Sequence, residues 1–372
     1  MNGRAECDEQ SLLRAWPPSG LLGLTRAGFE KDLAAELATR ASESGPAEVY
    51  PIAAAGSGYV RLRLSLPEAA PRLSELVSEA PLFARRVYYE CHWQTGLSAA
   101  DRVAPILAHL PPGVRFAGVE LAHPDTNEGK SLTRFLRGFR PHLERALKAE
   151  DRIGDGAVGP RLSLFFPDSS QVAIGWFLPR AEPVWPMGIP RLRLPRGAPS
   201  RSLLKLEEAV LTLMSEEERE RLLQPGMHAV DLGAAPGGWS RHLIDRGLEV
   251  TAVDHGPMDG GIADHPGLHH VRADGFTWTP PEPVDWLVCD IVDKPARVAD
   301  RMIHWLSRGW ARHALFNLKL PMKRRYQGVR ELSERLEAGI RPQRPGLRIR
   351  ARHLYHDREE MSFAVIDAGE IG

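Results

Sequence analysis

The sequence predicts an α/β protein, with a Rossmann-like sheet in its C-terminal half and smaller α+β domains ahead of it. Three observations carry this. An apolar run over residues 227–230 ends in a glycine-rich turn that opens a helix, Val230-Asp231-Leu232-Gly233-Ala234-Ala235-Pro236-Gly237-Gly238-Trp239-Ser240. Three later strand-like runs each end in an aspartate, and the segment from Gly20 to Glu90 alternates in a βαββαβ order. At 372 residues the chain exceeds the usual size of a single core, so two or three domains are expected.

Residues 1–18 mix charge, proline and small side chains without periodicity, which predicts a loose tail. Residues 19–90 then read as a ferredoxin-like domain. An apolar run at 21–24 precedes an amphipathic helix at 29–39. Strand-like runs at 48–52 and 59–64 are joined by a glycine-serine turn, and a helix at 67–79 leads to a strand at 84–90. That order hosts many activities and specifies none.

Residues 91–180 form a second mixed segment, with strand-like stretches at 114–121, 161–166 and 172–177 and a helix at 131–148. This helix region carries Lys130, Arg134, Arg137, Arg140, Arg145 and Lys148 against Glu144, and Phe135 and Phe139 at i, i+4 are expected to face the core. Residues 181–199 contain Pro183, Pro186, Pro190, Pro195 and Pro199 and read as a semi-rigid linker into the domain at 200–372.

Within that domain, Gly233, Gly237 and Gly238 can take backbone dihedrals closed to other residues and would let a ligand lie against the main chain. Pro236 suits the first turn of the following helix. Asp254 closes the run at 248–253, where a doubly wound sheet presents an acid to ribose hydroxyls. Asp274 follows the run at 269–273, and Asp290 ends the run at 286–289. An aspartate at such a position also serves as a helix N-cap. Three in succession at the carboxyl ends of strands favour a ligand site. The glycine spacing departs from Gly-x-Gly-x-x-Gly, so no pyrophosphate seat is expected.

The pattern from Asp231 to Trp239 resembles the S-adenosylmethionine motif of class I methyltransferases, in the form found in ribose 2'-O-methyltransferases related to FtsJ. That resemblance implies a Lys-Asp-Lys-Glu catalytic set, which Lys205, Asp290, Lys319 and Glu360 match in order, with Glu359 the alternative for the last place. Longer phrases are similar to the bacterial 23S rRNA cytidine 2'-O-ribose methyltransferases of the RlmM family. They include Met187-Gly188-Ile189-Pro190-Arg191, Cys289-Asp290-Ile291-Val292-Asp293-Lys294-Pro295 and Leu354-Tyr355-His356-Asp357-Arg358-Glu359-Glu360. The extension before Gly20 is the visible departure.

The resemblance implies that residues 91–180 are a THUMP RNA-binding domain and that the cofactor is S-adenosyl-L-methionine. Ser202, Gly233, Ala235, Pro236, Gly237, Gly238 and Trp239 would line its methionine and ribose, Asp254 would hold the ribose hydroxyls, Asp274 would lie near adenine, and Asp290 would border both cofactor and substrate. Lys319 would be the general base, its pKa lowered by the charge of Lys205, with Asp290 orienting and Glu360 positioning substrate or lysine. The implied substrate is a cytidine in the peptidyl-transferase region of 23S rRNA or its large-subunit precursor. Base-directed transfer would call for an Asn-Pro-Pro-Tyr-like or Pro-Cys sequence, whereas the chain continues from Asp290 as Ile291-Val292-Asp293. A non-catalytic assembly factor would be marked by loss of a catalytic residue, and Lys205, Asp290 and Lys319 are all present.

Formal net charge is zero, which sits oddly with an RNA substrate until the distribution is read. Residues 191–205 hold five basic residues and no acid, and residues 319–352 hold eleven against Glu331, Glu334 and Glu337. Both runs start or finish at a proposed catalytic lysine, which suggests an electrostatic track. Cys7, Cys91 and Cys289 form no Cys-x-x-Cys pair, so neither zinc nor a disulfide framework is expected. Without a long apolar run or an apolar leader, the chain reads as a cytoplasmic, metal-free monomer that does not enter a membrane.

Overall fold

The structure is a computed structural model that describes residues 9–44, 49–154, 159–179, 184–367 and 369. The chain divides into two compact units, one ending at Ile189 and the other beginning at Pro190.

The first unit runs α1 (Glu9–Ala15), β1 (Gly20–Leu24), α2 (Glu30–Ser44), β2 (Val49–Ala53), β3 (Tyr59–Leu64), α3 (Leu73–Leu76), β4 (Arg86–Gln94), α4 (Val103–Leu107), β5 (Gly118–Ala122), α5 (Asn127–Ala149), β6 (Arg161–Asp168) and β7 (Gln171–Phe177). Its seven strands make one sheet in the order β2-β3-β1-β4-β7-β6-β5. The first four reproduce the ferredoxin-like order read from the sequence, and all their pairings are antiparallel. Strand β3 buries Val60, Leu62 and Leu64 while Tyr59, Arg61 and Arg63 stay half-buried, the period of two that a one-sided strand requires. The boundary at 90/91 falls inside β4, which pairs with β1 on one side and β7 on the other, so the two N-terminal segments share a sheet.

Helix α5 is capped by Thr126, whose hydroxyl accepts from Gly129 N at 2.9 Å. It buries Leu136, Phe139, Leu143 and Leu147. Phe135 is half-buried, stacked on Phe139 and edge-on to Phe166, in keeping with a packing role. The opposite face exposes Lys130, Arg134, Arg137, Arg145 and Lys148, three or four residues apart except across Pro141.

Two expectations are corrected here. Residues 9–16 of the expected loose tail fold: α1 buries Leu12 and Leu13, Trp16 is buried against Phe116, and Glu9 accepts a hydrogen bond from the Tyr89 hydroxyl at 2.6 Å. The spacing of Leu12, Leu13 and Trp16 already marked one helix face. Residues 1–8 lie outside the described residues. Part of the expected semi-rigid linker is also packed into the first unit. Met187 N donates to Glu120 at 3.1 Å, Arg86 donates to the Trp185 carbonyl at 2.7 Å, and Ile189 is buried, so residues 184–189 belong to the first unit.

The second unit runs α6 (Leu203–Leu213), α7 (Glu216–Leu222), β8 (His228–Leu232), α8 (Gly238–Ile244), β9 (Glu249–Val253), α9 (Gly260–Ala263), β10 (Leu268–Val271), β11 (Val284–Cys289), α10 (Pro295–Ser307), β12 (Ala311–Lys319), α11 (Arg325–Ile340), β13 (Leu347–Arg352) and β14 (Glu360–Asp367). The sheet order is β10-β9-β8-β11-β12-β14-β13. Strands β8 to β12 pair in parallel, and β14 is antiparallel to both its neighbours. Residues 286–289 of β11 are wholly buried, as in a parallel sheet covered on both faces. Leu206, Val210, Trp239, Leu243 and Trp286 share one core that ties α6 and α8 to the sheet. From β8 the chain winds outward through β9 and β10, then returns to the other side as β11. That reversal opens a crevice at the carboxyl ends of β8 and β11, where ligands of such sheets bind.

Candidate active site

A cavity of about 290 Å³ occupies this crevice, lined among others by Gly233, Asp254, Asp274, Phe276, Asp290 and Ile291. Asp254 and Asp290 directly follow the last residues of β9 and β11, and Asp274 stands three residues beyond the end of β10. Asp254 accepts from Ala235 N at 3.0 Å and Gly256 N at 2.8 Å, tying the glycine turn to the end of β9. Asp274 accepts from Phe276 N at 2.8 Å. Each carboxylate oxygen keeps a lone pair for a second donor, so these bonds are compatible with ribose hydroxyls and an adenine amine.

The glycine turn is shaped by the chain's own atoms. Gly233 has φ +78, and a side chain there would meet Ile291 Cγ1 at 2.5 Å; Gly237 has φ +111 and would meet Met258 Cε at 2.8 Å. A side chain at Gly238 would strike Ser202 Oγ and come within 3.1 Å of Ser200 Cβ, so this glycine lets α8 pack against the turn into α6. Pro236 lies ahead of the helix, which begins at Gly238, and not in its first turn as expected.

Trp239 is likewise displaced from the expected lining. It is buried in the core and its Nε1 donates to the Ser202 carbonyl at 3.0 Å, so it fixes the start of α6 instead of facing the cavity. Of the expected cofactor residues, Gly233, Asp254, Asp274 and Asp290 border the cavity; Ser202, Ala235, Pro236, Gly237, Gly238 and Trp239 are not among its lining.

Beside this cavity, α6 brings Lys205 to the end of β11 and the start of β14. Its ammonium lies 3.1 Å from Asp290, 3.2 Å from Asp357 and 2.5 Å from Glu360. Burial alone would lower the lysine's pKa, but these carboxylates overcome it and hold the group well above its ordinary value. Burial raises the Asp290 carboxyl, and Lys205 partly offsets it. The role expected for Lys205 as a free positive charge acting on Lys319 is therefore corrected: its charge is compensated on the spot.

Glu360 and not Glu359 makes the lysine contact; Glu359 is exposed and lies 4.0 Å from Arg325. Lys319, the last residue of β12, is exposed and stands directly across from Glu360 in the antiparallel register. Directly opposed residues project from the same face, so Lys319 and Glu360 leave the sheet on one side.

Several residues of the cluster escaped the sequence reading. Asn317 donates to Asp290 at 2.9 Å, and Ser362 lies 2.8 Å from Asn317 Oδ1 and 2.9 Å from Asp357 Oδ2. Asn317 precedes Lys319 by two and Ser362 follows Glu360 by two, so the strand period was the available signal. Glu208, one turn beyond Lys205, accepts from Tyr355 N and His356 N, both at 2.8 Å, and clasps the loop that carries Asp357. No periodicity marked Asp357.

Asp231 is buried behind the glycine turn, accepts from Ser240 Oγ at 2.7 Å, and is pushed up to about 7 by burial. Its folded-state pKa lies above the ordinary carboxyl value, so its contribution to stability is fully present below about pH 4 and is lost as pH rises toward 7. Asp231→Asn keeps the hydroxyl contact and is expected to show a smaller fall in urea stability between pH 5 and 8 than the unaltered protein. Equal falls would assign the pH dependence to other groups.

Two family models match the chain: the RlmM ferredoxin-like domain over residues 19–88 and the FtsJ-like methyltransferase over residues 198–314. A protein of Alkalilimnicola ehrlichii named ribosomal RNA large subunit methyltransferase M is 48% identical, covering 91% of this chain and 91% of its own. The chain belongs to the ribosomal RNA large subunit methyltransferase M family. Members from Azoarcus sp. strain BH72 and Xylella fastidiosa strain M12 are each 44% identical over 92% of this chain, covering 95% and 97% of theirs. Family membership makes the chain an S-adenosylmethionine-dependent methyltransferase, with the ferredoxin-like and Rossmann-like domains that its sequence predicts.

The crevice fits that cofactor: acids stand at the ends of β9 and β10, and Phe276, Ile291 and Val292 give an apolar wall. Among the described residues no helix is long and apolar enough to cross a membrane. If Asp254 holds the ribose, Asp254→Ala is expected to weaken S-adenosylmethionine binding about tenfold to a hundredfold by calorimetry, the worth of hydrogen bonds to a charged group. Unchanged affinity would remove Asp254 from the family's cofactor site.

Proposed function

We propose that this methyltransferase modifies the ribose 2'-hydroxyl of a cytidine in the peptidyl-transferase region of 23S rRNA, with Lys319 as general base. The observation that carries the reading is Lys205 clamped by Asp290 and Glu360, with Lys319 opposite Glu360 in the strand register. The relatives' names, which specify large-subunit ribosomal RNA, supply the substrate class. S-adenosylmethionine supplies an electrophilic methyl group when bound.

The chain's own part is orientation and proton removal. Lys205 is a fixed ammonium that can hold a ribose or phosphate oxygen in place, while Asp290 and Glu360 fix that ammonium. Lys319, free of such a clamp and exposed at its strand end, acts as the neutral amine, whose lone pair takes the hydroxyl proton as the oxygen is alkylated and which leaves as the ammonium form. This division gives the two lysines different chemistry, although both were read from one motif.

The N-terminal segment from residue 91 serves as the THUMP-type RNA contact, with the basic stripe on α5 as its phosphate-facing element. Arg134→Glu combined with Arg137→Glu is expected to weaken rRNA binding and to flatten its logarithmic salt dependence by roughly 0.7 to 0.9 for each phosphate that is no longer neutralised. An unaltered salt slope in filter binding would exclude this stripe from the interface.

In cells, deletion of the gene should erase one 2'-O-methylcytidine from 23S rRNA, and complementation should restore it. A map unchanged by deletion, or a lost modification on a base, would overturn the proposal.

A further inference from the structure

Asp357 has no solvent exposure, yet it sits 3.2 Å from the Lys205 ammonium and 2.9 Å from the Ser362 hydroxyl. Counting protons along the contacts constrains the state of Asp357. Asn317 donates its amide to the Asp290 carboxylate, which can only accept, and this orients the Asn317 carbonyl oxygen toward Ser362. A carbonyl oxygen also only accepts, so the single Ser362 hydroxyl hydrogen is taken up by it. The remaining contact, between Ser362 Oγ and Asp357 Oδ2, then needs its hydrogen from Asp357.

We propose that Asp357 is a positioning residue that works as a neutral acid, heading a one-way hydrogen-bond chain from Asp357 through Ser362 and Asn317 to Asp290, the carboxylate that also accepts from Lys205. The chain crosses between two strands at a register pair, since Asn317 and Ser362 are directly opposed. Its members are almost fully buried: Asn317 is 3% exposed, Ser362 1% and Asp357 0%. The charged groups facing Asp357 are Lys205 from α6, Asp290 from the end of β11 and Glu360 from β14, and the Glu360 carboxylate is close enough to accept the Asp357 proton as well. One ammonium already faces two ionised carboxylates there, so a third buried negative charge is disfavoured. Burial, the largest cause, raises the Asp357 carboxyl well above its ordinary range, in agreement with the proton count.

This inference rests on the proposed methyl transfer only for its catalytic consequence; the protonation state is testable without it. In Asp357→Asn an amide replaces the acid's O–H as donor to Ser362 and keeps the oxygen toward Lys205. Single-turnover methyl transfer to rRNA at saturating S-adenosylmethionine is expected to stay within about threefold of the unaltered protein in Asp357→Asn. In Asp357→Ala it should fall by about tenfold or more, with cofactor affinity unchanged in both. The difference infrared spectrum of the unaltered protein minus Asp357→Asn at neutral pH should show the carbonyl stretch of a protonated carboxyl group.

Absence of that band overturns the neutral acid, even if the alanine variant does not fold. An asparagine variant that folds yet is as slow as alanine also overturns it, and wild-type rates in Asp357→Ala overturn the positioning role. An unaltered protein that shows the band but transfers no methyl group to rRNA would count against the proposed substrate and not against the acid.

Discussion

Lys319→Ala is expected to slow methyl transfer by about two to four orders of magnitude while leaving S-adenosylmethionine affinity unchanged, the usual worth of a positioned base. The residue ends β12 and is not among the residues lining the cavity, so in the proposed reaction its loss removes a group that acts on substrate and not on cofactor. Lys319→Arg separates the two roles a lysine can play. Arginine keeps the positive charge but does not give up its proton at any working pH, so it is expected to be nearly as slow as alanine. A near-normal single-turnover rate for Lys319→Arg would make this residue a charge stabiliser and end its assignment as the base.

Lys205→Ala is expected to fail differently, in stability as well as in rate. Removing the ammonium leaves the Asp290 and Glu360 carboxylates packed together without a counter-charge, and breaking a buried pair in this way costs about 3 to 5 kcal/mol. In the unaltered protein the raised lysine pKa means that its contribution is fully present below the ordinary lysine pKa and fades only in strong alkali. In the variant, unpaired carboxylates must take up protons, so their folded-state pKa values rise and stability drops as pH increases from acid to neutral. Urea unfolding at pH 5 and pH 8 should therefore show a gap between variant and unaltered protein that widens at the higher pH. A gap that is the same at both pH values would show that the carboxylates do not depend on Lys205 for their charge.

The features legible in the sequence are those written in local pattern. The glycine turn and the aspartates at 254, 274 and 290 were readable because each marks the abrupt end of an apolar strand, and the cavity sits among them. Lys205, Asp290 and Glu360 lie far apart along the chain. Their convergence follows from the return of β14 beside β12, a pairing of long sequence separation that only a family likeness anticipated. Trp239 was misplaced for a general reason: a residue next to a ligand loop reads as ligand-facing, whereas the first turn of α8 points it into the core. Asp357 was invisible because its meaning lies in a proton count across four elements. The folded helix at residues 9–15 shows the converse error, since prolines and charges nearby outweighed a short apolar face.

The most direct measurement uses labelled S-adenosylmethionine and 23S rRNA from a strain lacking the modification, followed by digestion to nucleosides and chromatography. Label is expected in 2'-O-methylcytidine alone, from a single position, and is expected to vanish with Lys319→Ala. Label on a base, on another ribose, or at an undiminished level with Lys319→Ala would contradict the proposed reaction.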